Sequence, residues 1–437
     1  GLGEDGTKYI KQAIKNGATK IVLDKSNKKT IKKINEKNIK YFFVDNTRKA
    51  LAELSSKALD NPSSKLKIIA ITGTKGKTTT TYLIEHILKN SGYKTALLGT
   101  IKNKILDQEI QSNLTTPQSD FLHMFFNECV KKNIDYVIME VSAHALSLYR
   151  IHTIKFDAIG FTNLTQEHLD FYKKMQNYFK AKCKIFEQIK EQGTIVINKD
   201  DKWCKKINLN KNKFNLINFS QNEDFKIIKN NLKGIVLNIS NSKKIIAKNI
   251  FGEFNAYNIT MAFLICKKLK LSEIKILNAI KNFKGVPGRM QKYTLKNQAL
   301  TFIDYAHNPS SFESSLKTLK NLNPNLIVVF GCGGNRDKTK RPVMGKIASK
   351  YAKKIIITDD NPRYENKEQI IKDILKGIDS SYKNIYCISN RSNAIKKAVE
   401  LSDKNSILAI LGKGHENYYS ENGKTLYFDD LEEIKKY

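Results

Sequence analysis

Apolar positions along the chain follow two periods. Tyr9, Ile10, Ala13 and Ile14 recur at the spacing of one helix face, and Gly17 then leads into the continuous apolar run Ile21-Val22-Leu23. A helix followed by a short strand predicts an α/β unit, and the turn-forming Asn61-Pro62-Ser63-Ser64 closes a first block over residues 1–64. A second block, residues 65–288, opens on a predicted strand at 67–72 and carries further apolar runs at 95–99, 136–141, 158–161 and 194–197. A helical pattern follows Gly252, and Gly285-Val286-Pro287-Gly288 predicts a hinge. The third block, residues 289–437, alternates helical segments with predicted strands at 300–304, 326–330, 354–358, 385–388 and 407–411. Continuous apolar runs this short, spaced by helices, predict a doubly wound parallel sheet, so the fold class is α/β in three domains.

Ligands of such sheets bind beyond the carboxyl ends of the strands. Four polar clusters stand at those ends in the third block. They are Asp304-Tyr305-Ala306-His307, the glycine-rich run from Gly331 to Arg336, Asp360-Asn361-Pro362-Arg363, and Gly412-Lys413-Gly414-His415-Glu416.

Charge changes the picture less than its size suggests. A formal charge of +34 raises the prospect of nucleic-acid binding. Yet seven arginines stand against 69 lysines, and the lysines are spread through every segment without interleaved aromatics for base stacking. The excess reads as compositional bias, and neither nucleic acid nor membrane is expected as a partner. Arginine is then the informative cation. Arg289, Arg336, Arg341 and Arg363 all fall within motifs. The six cysteines are scattered without a CxxC pair, which fits neither a zinc site nor a disulfide framework. No apolar stretch reaches membrane-spanning length, and the first residues lack a signal-peptide layout. A cytoplasmic monomer is the expectation.

The sharpest local chemistry follows the 67–72 strand. Gly73-Thr74-Lys75-Gly76-Lys77-Thr78-Thr79-Thr80 places a glycine loop between a strand and a helix, aiming backbone N–H groups and the helix dipole at phosphate. Lys77 is suited to the outer phosphates of ATP and the Thr78 hydroxyl to Mg²⁺. The usual longer loop has a glycine where Ile71 stands, so this is a shortened variant.

With these residues in view, the chain resembles the Mur ligase family. GTKGKTTT, TTP, EVSAHAL, TNLTQEHLD, KAK, GEFNAYN, DYAHNP, GCGGNRDKTKRP, DNPR and GKGHE follow one another in the family's order, from Asp5 to about Tyr418. The resemblance implies an N-terminal domain for a UDP-sugar, a central ATP-binding domain and a C-terminal Rossmann-like domain for the incoming amino acid. It also implies a first block incomplete at its start, since the match begins at Asp5-Gly6. The implied reaction is ATP-dependent amide ligation on UDP-N-acetylmuramoyl-L-alanyl-D-glutamate, through an acyl phosphate. Positioning and charge neutralisation dominate such chemistry.

The same resemblance assigns residues. Glu140, His168 and Thr78 would ligate Mg²⁺, with His144 ordering the loop. Lys182 would carry a carbamate and join them as N6-carboxylysine. Gly73, Thr74, Lys75, Gly76, Lys77, Thr78 and Thr79 would hold the ATP phosphates. Asn255 and Asn258 would face adenine, although Asn255 could instead be a helix N-cap. Arg289, Asp304 and His307 would hold the ribose and phosphate end. Thr115, Thr116, Ser142 and Arg150 would contact the UDP-muramoyl-dipeptide.

The remaining cluster bears on which amino acid is added. An arginine fork matches a carboxylate and repels a bare ammonium. Asp360-Asn361-Pro362-Arg363 is the form that resembles diaminopimelate-adding members, with Arg363 on the distal carboxylate and Arg336, Asp360, Asn361, Gly412 and Glu416 completing the pocket. Alternatives are a lysine-adding relative, which the arginines oppose, and a folylpolyglutamate synthetase, which leaves the first block without a role.

Overall fold

A computed structural model describes residues 5–27, 39–209, 213–239 and 244–437. Parts of the first block, residues 1–4 and 28–38, therefore lie outside the described residues. Within the rest of it, helix Ile10–Lys15 leads to strand Lys20–Asp24, which pairs in parallel with Lys40–Val44. Asn46 caps helix Thr47–Ala58, its side chain accepting from the Arg48 and Lys49 amides at 3.0 Å.

An eight-stranded sheet organises the second block. In spatial order it runs Asn215–Phe219, Ile189–Asn198, Phe156–Phe161, Lys67–Thr72, Tyr136–Glu140, Thr95–Leu98, Lys102–Ile105 and Gln108–Gln111. The first six strands are parallel and the last two form an antiparallel edge. Lys67–Thr72 is central because both its faces are apolar. Ile69 and Ile71 enter the core beneath helices Lys77–Asn90 and Glu253–Lys268, whereas Ile68 and Ala70 enter the core beneath helix Ser119–Lys131. A three-stranded antiparallel sheet, Phe225–Asn231, Gly234–Ile239 and Ile245–Ala247, extends the first of these cores.

The third block is a six-stranded sheet ordered Gln291–Thr294, Leu300–Asp304, Ile407–Leu411, Leu326–Phe330, Lys354–Ile357 and Ile385–Cys387. All but the first strand are parallel. Four adjacent strands thus end on one rim, where the four polar clusters follow them. The connection into this block is tight: a Cβ on Gly288 would lie 2.2 Å from the His415 amide nitrogen. Among the described residues no helix is long and apolar enough to cross a membrane.

Candidate active site

The glycine loop is built before any ligand is considered. Thr74 N–H donates to the Asn163 carbonyl at 2.9 Å and Lys75 N–H to the Asn163 side chain at 3.0 Å. Thr162 Oγ1 donates to the Lys75 carbonyl at 2.7 Å. Gly76 caps the following helix with φ +83°, and a Cβ there would lie 2.3 Å from Asn258 Oδ1, so glycine alone fits. Lys77 Nζ folds back to the carbonyls of Gly73 and Thr74 at 3.0 and 2.9 Å. Phosphate oxygens offer the same ammonium stronger acceptors.

A cavity of about 400 Å³ opens between this loop and the third block. Thr74, Lys75, Gly76, Lys77, Thr78 and Thr79 line one side of it. Asn255 and Asn258 line it from helix Glu253–Lys268 beside the loop, and Arg289, Asp304 and His307 from the third block. Beside the loop, Lys75 Nζ donates to Ser310 Oγ of the third block at 2.5 Å, and Asn308 Nδ2 of that block donates to Glu167 Oε1 at 3.4 Å.

Glu140, at the end of strand Tyr136–Glu140, is fully buried. Its carboxylate accepts from Thr78 Oγ1 at 3.1 Å, and from the Thr100 amide and hydroxyl at 2.9 and 3.1 Å. The hydroxyls of Thr100 and Thr115 lie 3.1 Å apart. No group of three His, Cys, Asp or Glu residues that could cage a metal occurs among the described residues. One carboxylate beside a hydroxyl in the glycine loop instead fits Mg²⁺, which is typically held through few protein oxygens together with nucleotide phosphates.

His168 sits at φ +57°, with Glu167 Oε2 3.8 Å from its Nε2 and the His144 ring edge-on at 4.7 Å. Burial lowers the pKa of both histidines, favouring neutral imidazoles. Lys182 is 1% exposed. Its Nζ donates to the Gly73 carbonyl at 2.8 Å and lies 5.1 Å from the Tyr178 ring centroid. Burial, and after it the nearby Lys77, drives its pKa well below the usual lysine value.

Asn255 is not an N-cap. It lies inside helix Glu253–Lys268, and Gly252 is the cap residue. Asn258 Nδ2 donates to Asn255 Oδ1 at 2.8 Å, which locks the two amides together at the cavity wall. Asp304 accepts from the Met290 amide at 2.6 Å and from Ser315 Oγ at 3.2 Å. Burial raises its pKa, and Arg289 opposes that shift. The Arg289 guanidinium lies 4.6 Å from the Tyr305 ring centroid. His307 Nδ1 is 2.8 Å from the Tyr305 carbonyl, which leaves Nε2 as the acceptor when that Nδ1 carries the proton.

Thr116, Ser142 and Arg150 gather beside Glu140. Thr116 Oγ1 donates to the Glu140 carbonyl at 2.9 Å and accepts from the Ser142 amide at 3.0 Å. Arg150 Nη1 donates to the Thr116 carbonyl at 2.8 Å, and its buried Nε has no partner.

The remaining cluster lies on the third block's rim. Arg363 adopts φ +56°, and its Nη1 donates to the Gly334 carbonyl at 2.8 Å. A Cβ on Gly333 would lie 2.9 Å from Arg363 Nη1 and 3.8 Å from Arg336 Cγ, so the Arg363 guanidinium and the Arg336 stem both approach that glycine. Gly412 leaves room for Asp360, whose Oδ2 would be 2.9 Å from a Cβ there. Asn361 Nδ2 donates to Glu416 Oε2 at 3.2 Å, and Tyr305 Oη donates to Glu416 Oε1 at 3.1 Å. Tyr305 also lines the cavity, which joins the rim to the glycine loop. Burial, then Asp360, raises the Glu416 pKa.

Glu167, Thr100, Tyr305 and Lys413 also enter the site without having been singled out by the sequence. Glu167, Tyr305 and Lys413 stand inside recognised motifs, but spacing along a loop does not reveal which side chains turn inward.

Residues 71–266 match the Mur ligase middle domain, and residues 288–414 match the Mur ligase glutamate ligase domain. A UDP-N-acetylmuramoyl-L-alanyl-D-glutamate–2,6-diaminopimelate ligase of Clostridium acetobutylicum is 40% identical, over 100% of this chain and 90% of its own length. The ligase of the same name from Fusobacterium nucleatum is 37% identical, over 99% of this chain and 88% of its own. A solved structure of a ligase so named superposes with a TM-score of 0.66 at 30% identity, covering 92% of this chain and 84% of that one. A folylpolyglutamate synthase from Thermotoga maritima shares the fold, with a TM-score of 0.64 at 18% identity over 84% of this chain and 90% of its own. Sequence and structure agree that this chain belongs to the Mur ligase family.

Proposed function

We propose that this ligase joins meso-diaminopimelate to UDP-N-acetylmuramoyl-L-alanyl-D-glutamate in the cytoplasm. Residues 1–64 serve the UDP-sugar, residues 65–288 the ATP and the muramoyl peptide, and residues 289–437 the amino acid. The observation that carries the reading is the Arg363 guanidinium beside Gly333, on the rim that also holds Glu416. A guanidinium and a carboxylate suit the zwitterionic far end of diaminopimelate, which carries a carboxylate as well as an ammonium.

The peptide's glutamate carboxylate attacks the γ-phosphorus of ATP, giving an acyl phosphate and ADP. The diaminopimelate amine then adds to the acyl carbon, and the tetrahedral adduct loses a proton and expels inorganic phosphate. Loop amides of residues 73–79 and Lys77 orient the phosphates. Asn255 and Asn258 face the adenine, while Arg289, Asp304 and His307 close on the ribose and phosphate end. Thr115, Thr116, Ser142 and Arg150 hold the muramoyl peptide. Asp360, Asn361, Gly412 and Glu416 take the ammonium end of the amino acid, and Arg336 and Arg363 its carboxylate.

Thr78, Glu140 and His168 would hold Mg²⁺, which when bound supplies positive charge to offset that of the phosphates and carboxylate. Lys182 would join them as a carbamate. Its burial favours the neutral amine, the form that adds CO₂ with loss of a proton.

Phosphate release from ATP with the UDP-muramoyl-dipeptide tests the reading. Turnover with meso-diaminopimelate and not with L-lysine is expected; turnover with L-lysine alone would keep the ligase and overturn the role given to Arg363.

A further inference from the structure

Behind the rim lies a cation that the reading above leaves without work. Lys413 is fully buried at the end of strand Ile407–Leu411. Its Nζ donates to Asn361 Oδ1 at 3.2 Å, lies 3.8 Å from Asp360 Oδ1, and sits 5.4 Å from the Tyr418 ring centroid. An ammonium has only donors, so it fixes which end of the Asn361 amide faces it. The Asn361 oxygen turns toward Lys413 and the Ser420 amide, the latter at 2.9 Å, and the NH₂ turns toward Glu416 at 3.2 Å.

We propose that Lys413 is a positioning residue for the incoming amino acid, its buried ammonium orienting Asn361 and Asp360 so that Glu416 is presented to the ligand's ammonium. The proposal rests on this rim being the amino-acid site. Glu416 then keeps one oxygen on Asn361 and the other on Tyr305, with lone pairs left for the ligand. Without Lys413 the Ser420 amide alone holds the Asn361 oxygen, and Asp360 and Glu416 face each other as two carboxylates with no protein ammonium beside them.

The charges around the cluster set the pH response. Burial and then Asp360 raise the Glu416 pKa, while Lys413 and the hydrogen bonds from Tyr305 and Asn361 lower it. Tyr305 and Tyr418 face Glu416, Asp360, Arg391, Asp430 and Glu416 face Lys413, Arg363 and Asp360 face Tyr418, and Arg289 faces Tyr305. Ligand binding needs the Glu416 anion, and so fails as pH falls through its pKa. Removing the Lys413 charge moves that acid limb to higher pH.

The test compares KM values in the intact enzyme. Lys413→Met should raise the KM for the amino acid by about 10- to 100-fold, as a misplaced binding group does. KM values for ATP and for the nucleotide-sugar peptide should barely change. Lys413→Gln keeps a donor for Asn361 but loses the charge. It should bind near normally at high pH, with an acid limb moved up by about one pH unit, the scale of a lost charge partner. If Lys413→Met does not fold, the Lys413→Gln pH profile decides. Equal rises in all three KM values, or an unmoved acid limb in Lys413→Gln, would overturn the proposal. A wild type inert toward every diamino acid would strike the reading of the rim and Lys413 with it; an active wild type with unaffected variants would strike Lys413 alone.

Discussion

Replacing Gly76 with alanine puts a methyl group 2.3 Å from Asn258 Oδ1, on a residue held at φ +83°. Two costs follow. Left-handed backbone costs an alanine roughly 1–2 kcal/mol, of which the stiffer unfolded chain returns about 0.5 kcal/mol. Asn258 must also move, giving up its 2.8 Å bond to Asn255 and the 3.4 Å bond from Thr80. At about 0.5–1.5 kcal/mol for the good bond and less for the long one, that adds about 1 kcal/mol. The net loss is about 2 kcal/mol. Trp203 is the chain's only tryptophan and packs at 5.4 Å on Phe179 within the second block, so its fluorescence in a urea titration follows the block that carries Gly76. The contribution of Asn258 can be isolated. In an Asn258→Ala background, Gly76→Ala should cost only the backbone share, leaving a coupling of about 1 kcal/mol between the sites. Equal costs in both backgrounds would refute the packing argument, and no loss in either would refute the strain as well.

Three further outcomes are expected. Arg363→Ala should raise the KM for meso-diaminopimelate about 100-fold, the equivalent of about 2.7 kcal/mol from a charge-assisted pair, while leaving the KM for ATP unchanged; equal losses for both would contradict the assignment. Lys182→Ala should be nearly inactive and partly rescued by a small carboxylate such as formate, and full activity without rescue would remove the carbamate from the account. Burial lowers the pKa of His123 from 6.5 to about 4. The unfolded chain therefore takes up a proton in that window that the folded chain refuses, and stability falls as pH drops through it, by up to about 1.4 kcal/mol per pH unit. The Trp203 transition should lose that slope in His123→Gln, and an unchanged slope would contradict the assignment.

How legible each element was depended on how local its causes are. Strands Lys67–Thr72, Leu300–Asp304, Leu326–Phe330 and Ile407–Leu411 have the bounds their apolar runs predict, because each is buried on both faces. Strand Ile189–Asn198 begins earlier than predicted: its polar start is held by Lys190, whose Nζ bonds Asp157 at 2.8 Å and the Leu66 carbonyl at 3.1 Å. The antiparallel sheet from Phe225 to Ala247 escaped notice because a register shift between Ile227 and Lys229 breaks its alternation. Tertiary causes hid more of the site. Lys182 is one of 69 lysines, and no local pattern signals its burial. Arg363 holds its positive φ because its amide donates to the Ser420 carbonyl at 2.9 Å and its carbonyl accepts from the Asn422 amide at 2.6 Å. Both partners belong to the hairpin Tyr418–Glu421 and Lys424–Tyr427, far along the chain. Glycines were the most readable part of the site, since the loop at Gly73 and Gly76 and the turn at Gly412 need backbone that other residues rarely adopt.

The central claim is that a peptide carboxylate is activated by ATP in the cavity beside the glycine loop and captured by the amine of meso-diaminopimelate. UDP-N-acetylmuramoyl-L-alanyl-D-glutamate labelled with ¹⁸O in the reacting carboxylate tests it most directly, with the released phosphate and the nucleotide product weighed by mass spectrometry. An acyl phosphate requires one labelled oxygen to leave with each phosphate, and the product to gain one diaminopimelate less one water. Unlabelled phosphate from a chain that still consumes ATP would contradict the account at its chemical step.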